Sequence, residues 1–309
     1  MFKLAGKTLI LVDAENDWLS RGMAATGLAD VAQVYKEISY LEKRLRTLHY
    51  HTKLAKTCWY GAWKDTVERY DTVILFDVFL DSDVAEYIEQ KAPQARLIVF
   101  YRNPWYNNYY VSKEARKKCE IWSFDKEDCK KYGLRHNHQF YLREAVKQTV
   151  DDAYASDVFF VGKDKGRISL LEKIQGEVTH MGLKPVFYIV PERHGQYTPA
   201  QQKLLHQEHL SYLEVLKYNK NTHCLLELMQ ENQQGFTLRT VEAMFFNKKL
   251  VTNNAYLKSC AFYDPRNIFI LGQDQRTLAT FLKEEPPAAW AQEVVATYSF
   301  EHWLQNFDK

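Results

Sequence analysis

Two stretches of this 309-residue sequence place cations and glycines beside the predicted start of a helix. The first, "VGKDKGR", contains Lys163, Lys165 and Arg167, and its Gly162 and Gly166 let the backbone turn sharply and approach a ligand. A helix N-terminus favours anions through its free N–H groups and its dipole. The stretch therefore predicts a phosphate site, with a solvated basic loop as the alternative. Its spacing matches neither the G-x-x-x-x-G-K-[ST] nor the G-x-G-x-x-G pattern.

The second stretch, "QQGFTLRTVEAMFFNKKLVTNN", follows a predicted strand, Cys224–Met229, and repeats the order of loop and helix. Thr237 is predicted to cap the helix, and Gly235 frees the backbone before it. Arg239 falls in the first turn, where the dipole disfavours cations, so its guanidinium predicts an anion nearby. Glu242 is either an acceptor for a ribose diol or a solvated carboxylate. Both stretches lie at the carboxyl ends of predicted strands, where open α/β sheets bind ligands.

Two loops in the first half carry further candidates. "LVDAEND" places Asp13 and Glu15 just after a predicted strand, and either could act as a general base for a hydroxyl group or cap the next element. "YRNPWYNNYY" places Arg102 and Asn103 beside aromatic residues after another strand, where they would bind a ligand or pack into the core. These residues are the candidate functional groups of the first half.

Composition restricts the class of protein. Hydrophobic residues make up 46% of the chain and charged residues 26%, as in soluble globular proteins, and the net charge of +2 predicts no nucleic-acid partner. The five cysteines form no C-x-x-C pair, which indicates reduced thiols and a cytoplasmic location. The apolar run at the N-terminus is too short for a signal peptide, and no apolar segment has spanning length.

Apolar runs alternate with amphipathic segments, which predicts an α/β fold with parallel strands of the doubly wound type. Two α/β halves in tandem fit this order better than one barrel, and one continuous sheet stays open as an alternative. The clearest predicted strands are Thr8–Val12, Thr72–Phe76, Arg96–Tyr101, Asp157–Gly162 and Pro185–Val190. Helical spacing of apolar residues predicts one long helix over 28–48. We predict an N-terminal domain over 1–150, a C-terminal domain over 151–285, and C-terminal helices over 286–309 that pack back toward the N-terminal domain.

The second half resembles the donor-binding domain of GT-B glycosyltransferases. "FFVGKDKGRISLL" is similar to their "vGR…KG…ll" loop, and "QGFTLRTVEA" is similar to their E-x7-E segment, with seven residues between Gln234 and Glu242. The wording of the second stretch, with "SYLEVL" before it and "NIFILG" after it, also resembles bacterial capsule and lipopolysaccharide biosynthesis proteins. The resemblance covers roughly residues 123–309. It implies two Rossmann-like domains facing across a cleft.

This resemblance also implies a function and roles for residues. The protein would transfer a hexose from a nucleotide diphosphate sugar, with UDP as the expected nucleotide, to an oligosaccharide or a lipid-linked glycan, with no cofactor and no metal. Glu242 would hold the ribose, and Gln234 would meet the donor sugar. Gln234 departs from the family's glutamate, so a charge role at that position does not carry over. The expected donor-binding residues are Gly162, Lys163, Lys165, Arg167, Gln234, Gly235, Thr237, Leu238, Arg239 and Glu242. The first half would face the acceptor, with Asp13 or Glu15 as the catalytic base and Arg102 and Asn103 as acceptor-binding residues.

Rival interpretations stay open. Asp81 and Asp83 in "FLDSD" form a D-x-D pair, which is the metal–diphosphate motif of the other glycosyltransferase fold, GT-A; Asp83 is alternatively a helix cap. "LVDAEND" is also similar to the nucleophile loop of haloacid-dehalogenase phosphatases, although Glu15 replaces its second aspartate. The non-enzymatic alternative is a nucleotide-binding or assembly protein that has lost its chemistry, which Gln234 keeps open.

Other polar groups are interpreted as surface residues. His136 and His138 stand two apart without a recognisable third ligand, so they predict no metal site. Lys248 and Lys249 are interpreted as the solvated end of a helix. Lipid-linked acceptors imply peripheral contact with the inner face of the cytoplasmic membrane. For that contact the basic runs "EARKKCE" and "KKYG" are an electrostatic handle or, alternatively, solvated helix faces.

Overall fold

The computed structural model describes residues 6–13, 17–52, 54–76, 82–103, 118–230, 235–284 and 287–308. The chain forms two compact units, one of residues 1–138 with 300–309 and one of residues 139–299. The units therefore divide twelve residues before the boundary predicted at 150. Tyr141, Leu142 and Ala145 are buried, and the Tyr141 amide donates to the Tyr298 carbonyl inside the second unit. This packing places residues 139–150, which were predicted in the N-terminal domain, in the second unit.

The first unit contains a six-stranded parallel sheet in the order β2-β1-β3-β4-β5-β6. Strands β1 and β3 are buried along their whole length, as expected for continuous apolar runs in a sheet covered on both faces. The strands are β1 (Thr8–Val12), β2 (Asp30–Gln33), β3 (Thr72–Phe76), β4 (Arg96–Tyr101), β5 (Glu120–Ser123) and β6 (Arg135–His136).

Several helices of the first unit lie against this sheet, and one of them comes from the far end of the chain. Trp303 of that last helix and Phe307 just after it are buried, and the Trp303 ring packs edge-on against Phe100 at a centroid distance of 5.0 Å. Residues 300–309 thus complete the first core, whereas 287–299 belong to the second unit. The helices are α1 (Trp18–Ala25), α2 (Tyr40–Tyr50), α3 (Ser82–Lys91), α4 (Lys126–Tyr132) and, after those of the second unit, α11 (Phe300–Asn306).

The second unit contains a five-stranded parallel sheet in the order β11-β10-β9-β7-β8. Its strands are β7 (Ser156–Lys163), β8 (Pro185–Val190), β9 (Thr222–Glu227), β10 (Lys249–Thr252) and β11 (Ile268–Ile270). Its helices are α5 (Ile168–His180), α6 (Pro199–Gln202), α7 (Tyr212–Asn221), α8 (Leu238–Phe245), α9 (Leu278–Lys283) and α10 (Gln292–Thr297). Short 3₁₀ turns occupy Thr57–Trp59, Ala62–Asp65, Val67–Arg69, Arg143–Lys147, Asp152–Tyr154 and Ala255–Ser259.

The long helix predicted over 28–48 is wrong in its first half. Residues 30–33 form β2, which pairs with β1, and α2 begins only at Tyr40. Helical spacing of apolar residues misled the prediction, because pairing with a neighbouring strand decides the conformation of a four-residue segment. The sequence did contain the correct start signal, since Ser39 and Glu42 form a capping box.

Strand order sets where ligands bind to such sheets. In the second sheet, β8 lies on one side of β7 and β9 on the other, so the chain reverses its direction of winding between β7 and β9. The crevice at the carboxyl ends of two such strands is the usual ligand site of a doubly wound sheet. None of the helices in the described part of the chain is long and apolar enough to cross a membrane.

Candidate functional site

Both sequence stretches with predicted anion sites lie at this reversal point. The loop after β7 leads into α5, and the loop after β9 leads into α8. Arg167 connects them, because its Nη1 donates to the Leu228 carbonyl directly after β9. The tertiary structure therefore brings two segments that are more than sixty residues apart in sequence to one edge of the sheet.

The β7–α5 loop has the backbone shape of a tight turn. Lys165 adopts a left-handed conformation with φ of 50°, and Gly166 follows with φ of 78°. A side chain at Gly166 would meet no atom within 4 Å, so the backbone angle requires the glycine and crowding does not. Gly162 lies inside β7, paired with Ile189, and does not form the turn predicted for it. The turn exposes Lys163 and Lys165 on the loop.

Positive charge accumulates on this loop. Burial lowers the pKa of Lys165, and the charges of Arg167 and Lys163 lower it further, while Glu192 opposes the shift. No side chain caps α5, whose N-cap position is Arg167 itself. The free end of a 13-residue helix and a lysine destabilised by neighbouring cations both favour a bound anion.

Arg167 is committed largely to the protein. Its Nε donates to the Asp164 carbonyl at 2.9 Å, its Nη2 donates to the Lys163 carbonyl, and its guanidinium lies 5.5 Å from the centre of the Phe160 ring. Burial lowers its pKa, with Asp164 acting in the opposite direction. The N–H groups of Arg167 therefore hold the backbone of the loop. What Arg167 contributes to the predicted diphosphate contact is mainly its positive charge.

Asp164 is the acidic member of the loop, and it faces inward. It is buried, and the Tyr197 hydroxyl donates to its Oδ2 at 3.2 Å. The same hydroxyl accepts from the Glu192 amide at 2.8 Å, which joins the loop to the segment after β8. Asp164 therefore balances part of the buried charge of Arg167. At the exposed Lys165, Glu192 offsets only part of the effect of burial and of the neighbouring cations.

The start of α8 is built differently, because an internal carboxylate occupies it. Glu227, the last residue of β9, is 3% exposed. Its Oε1 accepts from the Thr237 amide at 3.3 Å, from the Thr237 hydroxyl at 2.5 Å and from the Thr240 hydroxyl at 2.9 Å. Its Oε2 accepts from the Thr252 hydroxyl at 2.8 Å. Thr237 also caps the helix as predicted, by accepting from the Arg239 amide.

Arg239 and Glu242 form a second internal pair. The Arg239 Nη1 lies 2.7 Å from Glu242 Oε2 and donates to Asn219 Oδ1 at 2.9 Å. Glu242 is 2% exposed, and its Oε1 accepts from the Tyr212 hydroxyl at 2.6 Å, with the Tyr141 hydroxyl 3.3 Å away. The solvated alternative for Glu242 is wrong. The anion that explains an arginine in this first turn is a residue of the same helix.

Two asparagines that directly follow β10 hold the backbone of the loop between β9 and α8. Gly235 has φ of 76°, and its carbonyl accepts from Asn254 Nδ2 at 2.7 Å. Asn253 Oδ1 accepts from the Met229 amide at 2.7 Å. The asparagines that end the second stretch thus hold the loop backbone. Gln234, predicted to meet the donor sugar, lies outside the described residues, and Leu238 is the first residue of α8.

The candidates of the first unit lie at the carboxyl ends of its strands. Asp13 is exposed directly after β1, and Glu15 lies outside the described residues. Arg102 and Asn103 follow β4, and the Arg102 guanidinium lies 4.4 Å from the centre of the Phe76 ring at the end of β3. The first sheet also reverses its winding direction between β1 and β3, so Asp13 follows one of the two strands at whose carboxyl ends such sheets usually bind ligands.

The rival D-x-D motif has different partners. Asp81 lies outside the described residues, and Asp83 forms an ion pair with Lys56. Helix α3 begins at Ser82, so Asp83 lies within the first turn and is not its cap. His138 packs edge-on against His302, with its Nε2 2.8 Å from Asn306 Nδ2. Among the described residues, no three His, Cys, Asp or Glu side chains cluster as metal ligands would.

Lys248 and Lys249 are not a solvated helix end, so that interpretation is wrong. Lys249 lies in β10 and is buried, with its Nζ donating to the Phe281 carbonyl at 2.7 Å. Lys248 donates to the Lys220 carbonyl at 2.7 Å, and burial lowers its pKa to about 8. Both lysines donate to carbonyls in the last turn of a helix, where the carbonyls have no partner within the helix.

No family model matches this chain, and no curated protein sequence matches it. The chain is similar in structure to the lipopolysaccharide outer core galactosyltransferase WaaB in its apo form, with 12% identity, a TM-score of 0.51 and 98% of each chain covered. It is also similar to AviGT4, a glycosyltransferase involved in avilamycin A biosynthesis, with 12% identity and a TM-score of 0.53 over 98% of this chain and 96% of that one. The two parallel sheets and these similarities show a GT-B glycosyltransferase-like fold with two Rossmann-like domains.

Proposed function

We propose that this protein is a glycosyltransferase that binds the diphosphate of a nucleotide-sugar donor at the β7–α5 loop. The observation that carries the proposal is the combination of an uncapped α5 start with exposed Lys163 and Lys165 at the reversal point of the second sheet. Within the described part of the chain, no carboxylate accepts hydrogen bonds at the start of α5 as Glu227 does at the start of α8. A diphosphate supplies the missing negative charge.

The proposed reaction breaks the bond between the sugar's anomeric carbon and the diphosphate oxygen, while an acceptor hydroxyl forms the new bond to that carbon. Negative charge develops on the departing diphosphate, and Lys163, Lys165 and the first amides of α5 stabilise it electrostatically. The acceptor hydroxyl loses its proton to a general base, for which Asp13 and Glu15 are the candidates from the first unit. This arrangement needs no cofactor, because protein cations and helix amides provide the stabilisation.

We further propose UDP as the nucleotide, a hexose as the sugar, and a growing capsule or lipopolysaccharide glycan as the acceptor. The resemblance of residues 233–254 to bacterial proteins of these pathways supports this choice. One structural neighbour, a lipopolysaccharide outer core galactosyltransferase, also supports this choice. Such an enzyme would act in the cytoplasm, with peripheral contact at the inner face of the membrane where a lipid-linked acceptor resides.

Calorimetric titration with UDP tests the proposal. The double variant Lys163→Ala/Lys165→Ala removes both exposed cations of the loop, and we expect about a tenfold loss of affinity for each lysine, since hydrogen bonds to charged groups contribute about 1.5–3 kcal/mol. The matched control is Lys173→Ala/Lys203→Ala, which removes two exposed lysines elsewhere on the same unit. Equal UDP affinity in the double variant and the wild type would refute the site.

One observation favours a second function. Both carboxylate oxygens of Glu242 accept hydrogen bonds from other residues of the protein, so the residue expected to bind the ribose already has internal partners. A nucleotide-binding or assembly protein without transferase chemistry fits that observation. Incubation with a labelled UDP-hexose and a lipid extract separates the two, because an enzyme produces labelled lipid or free sugar and a binder returns the donor intact. The metal-dependent GT-A alternative with Asp81 and Asp83 loses its support, since the fold is of the GT-B type.

A further inference from the structure

Helix α2 of the first unit presents its apolar side to solvent. Leu41, Leu45 and Leu48 are 70%, 57% and 67% exposed, and Tyr40 beside them is 74% exposed. Positions i, i+4 and i+7 fall on one side of a helix, so the three leucines form a continuous stripe. We call Tyr40, Leu41, Leu45 and Leu48 the leucine face.

The opposite side of α2 is attached to the first unit by polar and aromatic groups. The Arg46 guanidinium lies 4.8 Å from the centre of the Tyr35 ring, and the Tyr50 hydroxyl donates to the Tyr35 hydroxyl. His49 Nδ1 accepts from Trp59 Nε1 at 2.8 Å. No residue of α2 is buried. The helix is therefore anchored with its leucines outward, the reverse of the usual arrangement in a soluble protein.

The helix is a defined element and not a frayed end. A capping box between Ser39 and Glu42 fixes its start, with the Ser39 amide donating to Glu42 at 2.8 Å and the Glu42 amide donating to the Ser39 hydroxyl at 3.4 Å. Its eleven residues span about 16 Å at the rise of an α-helix. Since the backbone is held at the start and the inner side is anchored, the leucine face is a stable surface.

Charge identifies the kind of partner. Lys43, Arg44 and Arg46 against the single acid Glu42 give α2 a net charge of +2. By helical geometry the exposed Arg44 borders the leucine stripe, whereas the exposed Lys43 falls on the opposite side of the helix. The acidic Glu42 is engaged in the capping box. A helix with an apolar side, a net positive charge and an aromatic residue at one end is typical of helices that lie in the interface of an anionic bilayer.

We propose that the leucine face of α2 docks on the surface of an anionic lipid bilayer, with the leucines in the acyl boundary and Arg44 at the headgroups. A second copy of the chain fits less well, because a stable protein interface uses about 20–30 residues per partner and this face contains four. The inference rests on α2 alone and holds for a transferase and for a nucleotide-binding protein.

Vesicle sedimentation tests it with the full chain. The wild type is expected to bind vesicles of phosphatidylcholine mixed with phosphatidylglycerol, and to bind pure phosphatidylcholine more weakly. The variant Leu41→Gln/Leu45→Gln/Leu48→Gln is expected to lose more than tenfold in partition coefficient, since burying each leucine contributes severalfold to tenfold. Its control, Leu213→Gln/Val150→Gln, removes two exposed apolar residues of the second unit and should bind as the wild type does.

Three outcomes decide the matter. Loss of binding in the leucine variant, together with unchanged UDP affinity and circular dichroism, supports the bilayer. Wild-type protein that stays in solution with anionic vesicles, or a leucine variant that binds them as well as the wild type, overturns it. A wild type that is dimeric by light scattering and a monomeric leucine variant, with no vesicle binding by either, assigns the face to a second copy. Failure of UDP binding alone leaves the bilayer proposal standing and refutes the donor site.

Discussion

The two loop-to-helix junctions of the second sheet look alike in sequence and differ in construction. At the β9–α8 junction, Glu227 supplies the anion, and Thr237, Thr240 and Thr252 surround it. At the β7–α5 junction no side chain caps the helix, and exposed lysines stand at its start. The first junction is electrostatically complete and holds the fold together. The second is incomplete within the described residues, which is the condition for binding a ligand.

The largest expected effect comes from removing the internal anion. Glu227→Ala leaves three hydroxyls and one amide without their acceptor in a buried site, so we expect about 4 kcal/mol less stability toward urea, since each unsatisfied buried group costs about 1–3 kcal/mol. The measurement is urea unfolding followed by circular dichroism. Glu208→Ala, at an exposed carboxylate, is the control and should change stability by no more than about 0.5 kcal/mol. A loss below about 1 kcal/mol for Glu227→Ala would show that the junction does not depend on this carboxylate.

The second prediction concerns the Arg239–Glu242 pair. Arg239→Met leaves a buried carboxylate that still accepts from Tyr212, so we expect a loss of about 2 kcal/mol. The double variant Arg239→Met/Glu242→Gln removes the uncompensated charge and should be more stable than Arg239→Met alone. Urea unfolding of the two single variants, the double variant and the wild type completes the cycle. Strictly additive losses would contradict the pairing.

The third prediction uses the pKa of Lys165, which burial and then Arg167 lower. A bound diphosphate favours the charged amine and raises this pKa again, so binding takes up a proton at alkaline pH. UDP affinity should therefore fall as the pH rises through the lowered pKa, because the neutral amine no longer attracts the diphosphate. Calorimetry on Lys165→Arg is the control, because a guanidinium stays charged and should flatten the profile. Identical profiles would exclude Lys165 from the site.

The smallest expected effect tests whether the basic loop is strained for binding. Lys165→Gly removes the penalty of a left-handed lysine, about 1–2 kcal/mol, against the entropy of glycine, about 0.5–1 kcal/mol, so we expect a net gain of about 0.5 kcal/mol. Thermal unfolding measures it, and UDP affinity should fall in the same variant. Asn247→Gly, at φ of 51°, is the control with a smaller gain, because asparagine tolerates this conformation. A less stable Lys165→Gly would show that the lysine stabilises the turn.

Sequence patterns predicted the framework of the fold well. The strands predicted at Thr8–Val12, Thr72–Phe76, Arg96–Tyr101 and Pro185–Val190 have the bounds found in the structure. Continuous apolar runs identify such strands because both faces of a parallel sheet are buried. The elements that were missed are short or polar: β2, β5, β6, α1, α4 (Lys126–Tyr132) and α6. For α4 the signals were present, since Asp125 caps its start and Gly133 ends it in the left-handed conformation.

The sequence indicated which two loops lie at the carboxyl ends of strands, but it did not indicate how the charged residues of these loops pair. Glu227 was overlooked because a lone carboxylate at the end of an apolar strand has no local pattern, and its three threonine partners lie 10 to 25 residues away. The first half also gave no sign that the leucines of α2 face outward. Helical spacing shows that Leu41, Leu45 and Leu48 share a side and does not show which side the rest of the unit covers.

The sequence by itself determined the α/β class with parallel strands, and the placement of basic and acidic residues where strands end and helices begin. Those features depend on the local order of residues along the chain. Only the tertiary structure decided that the strands form two sheets and which charges pair. Arg239 pairs with Glu242 three residues away, and Glu227 accepts hydrogen bonds at the start of α8, whereas Lys163 and Lys165 remain exposed beside the uncapped start of α5. Electrostatic compensation depends on distance in space, so two similar loop-to-helix segments form a structural junction in one place and a candidate binding site in the other.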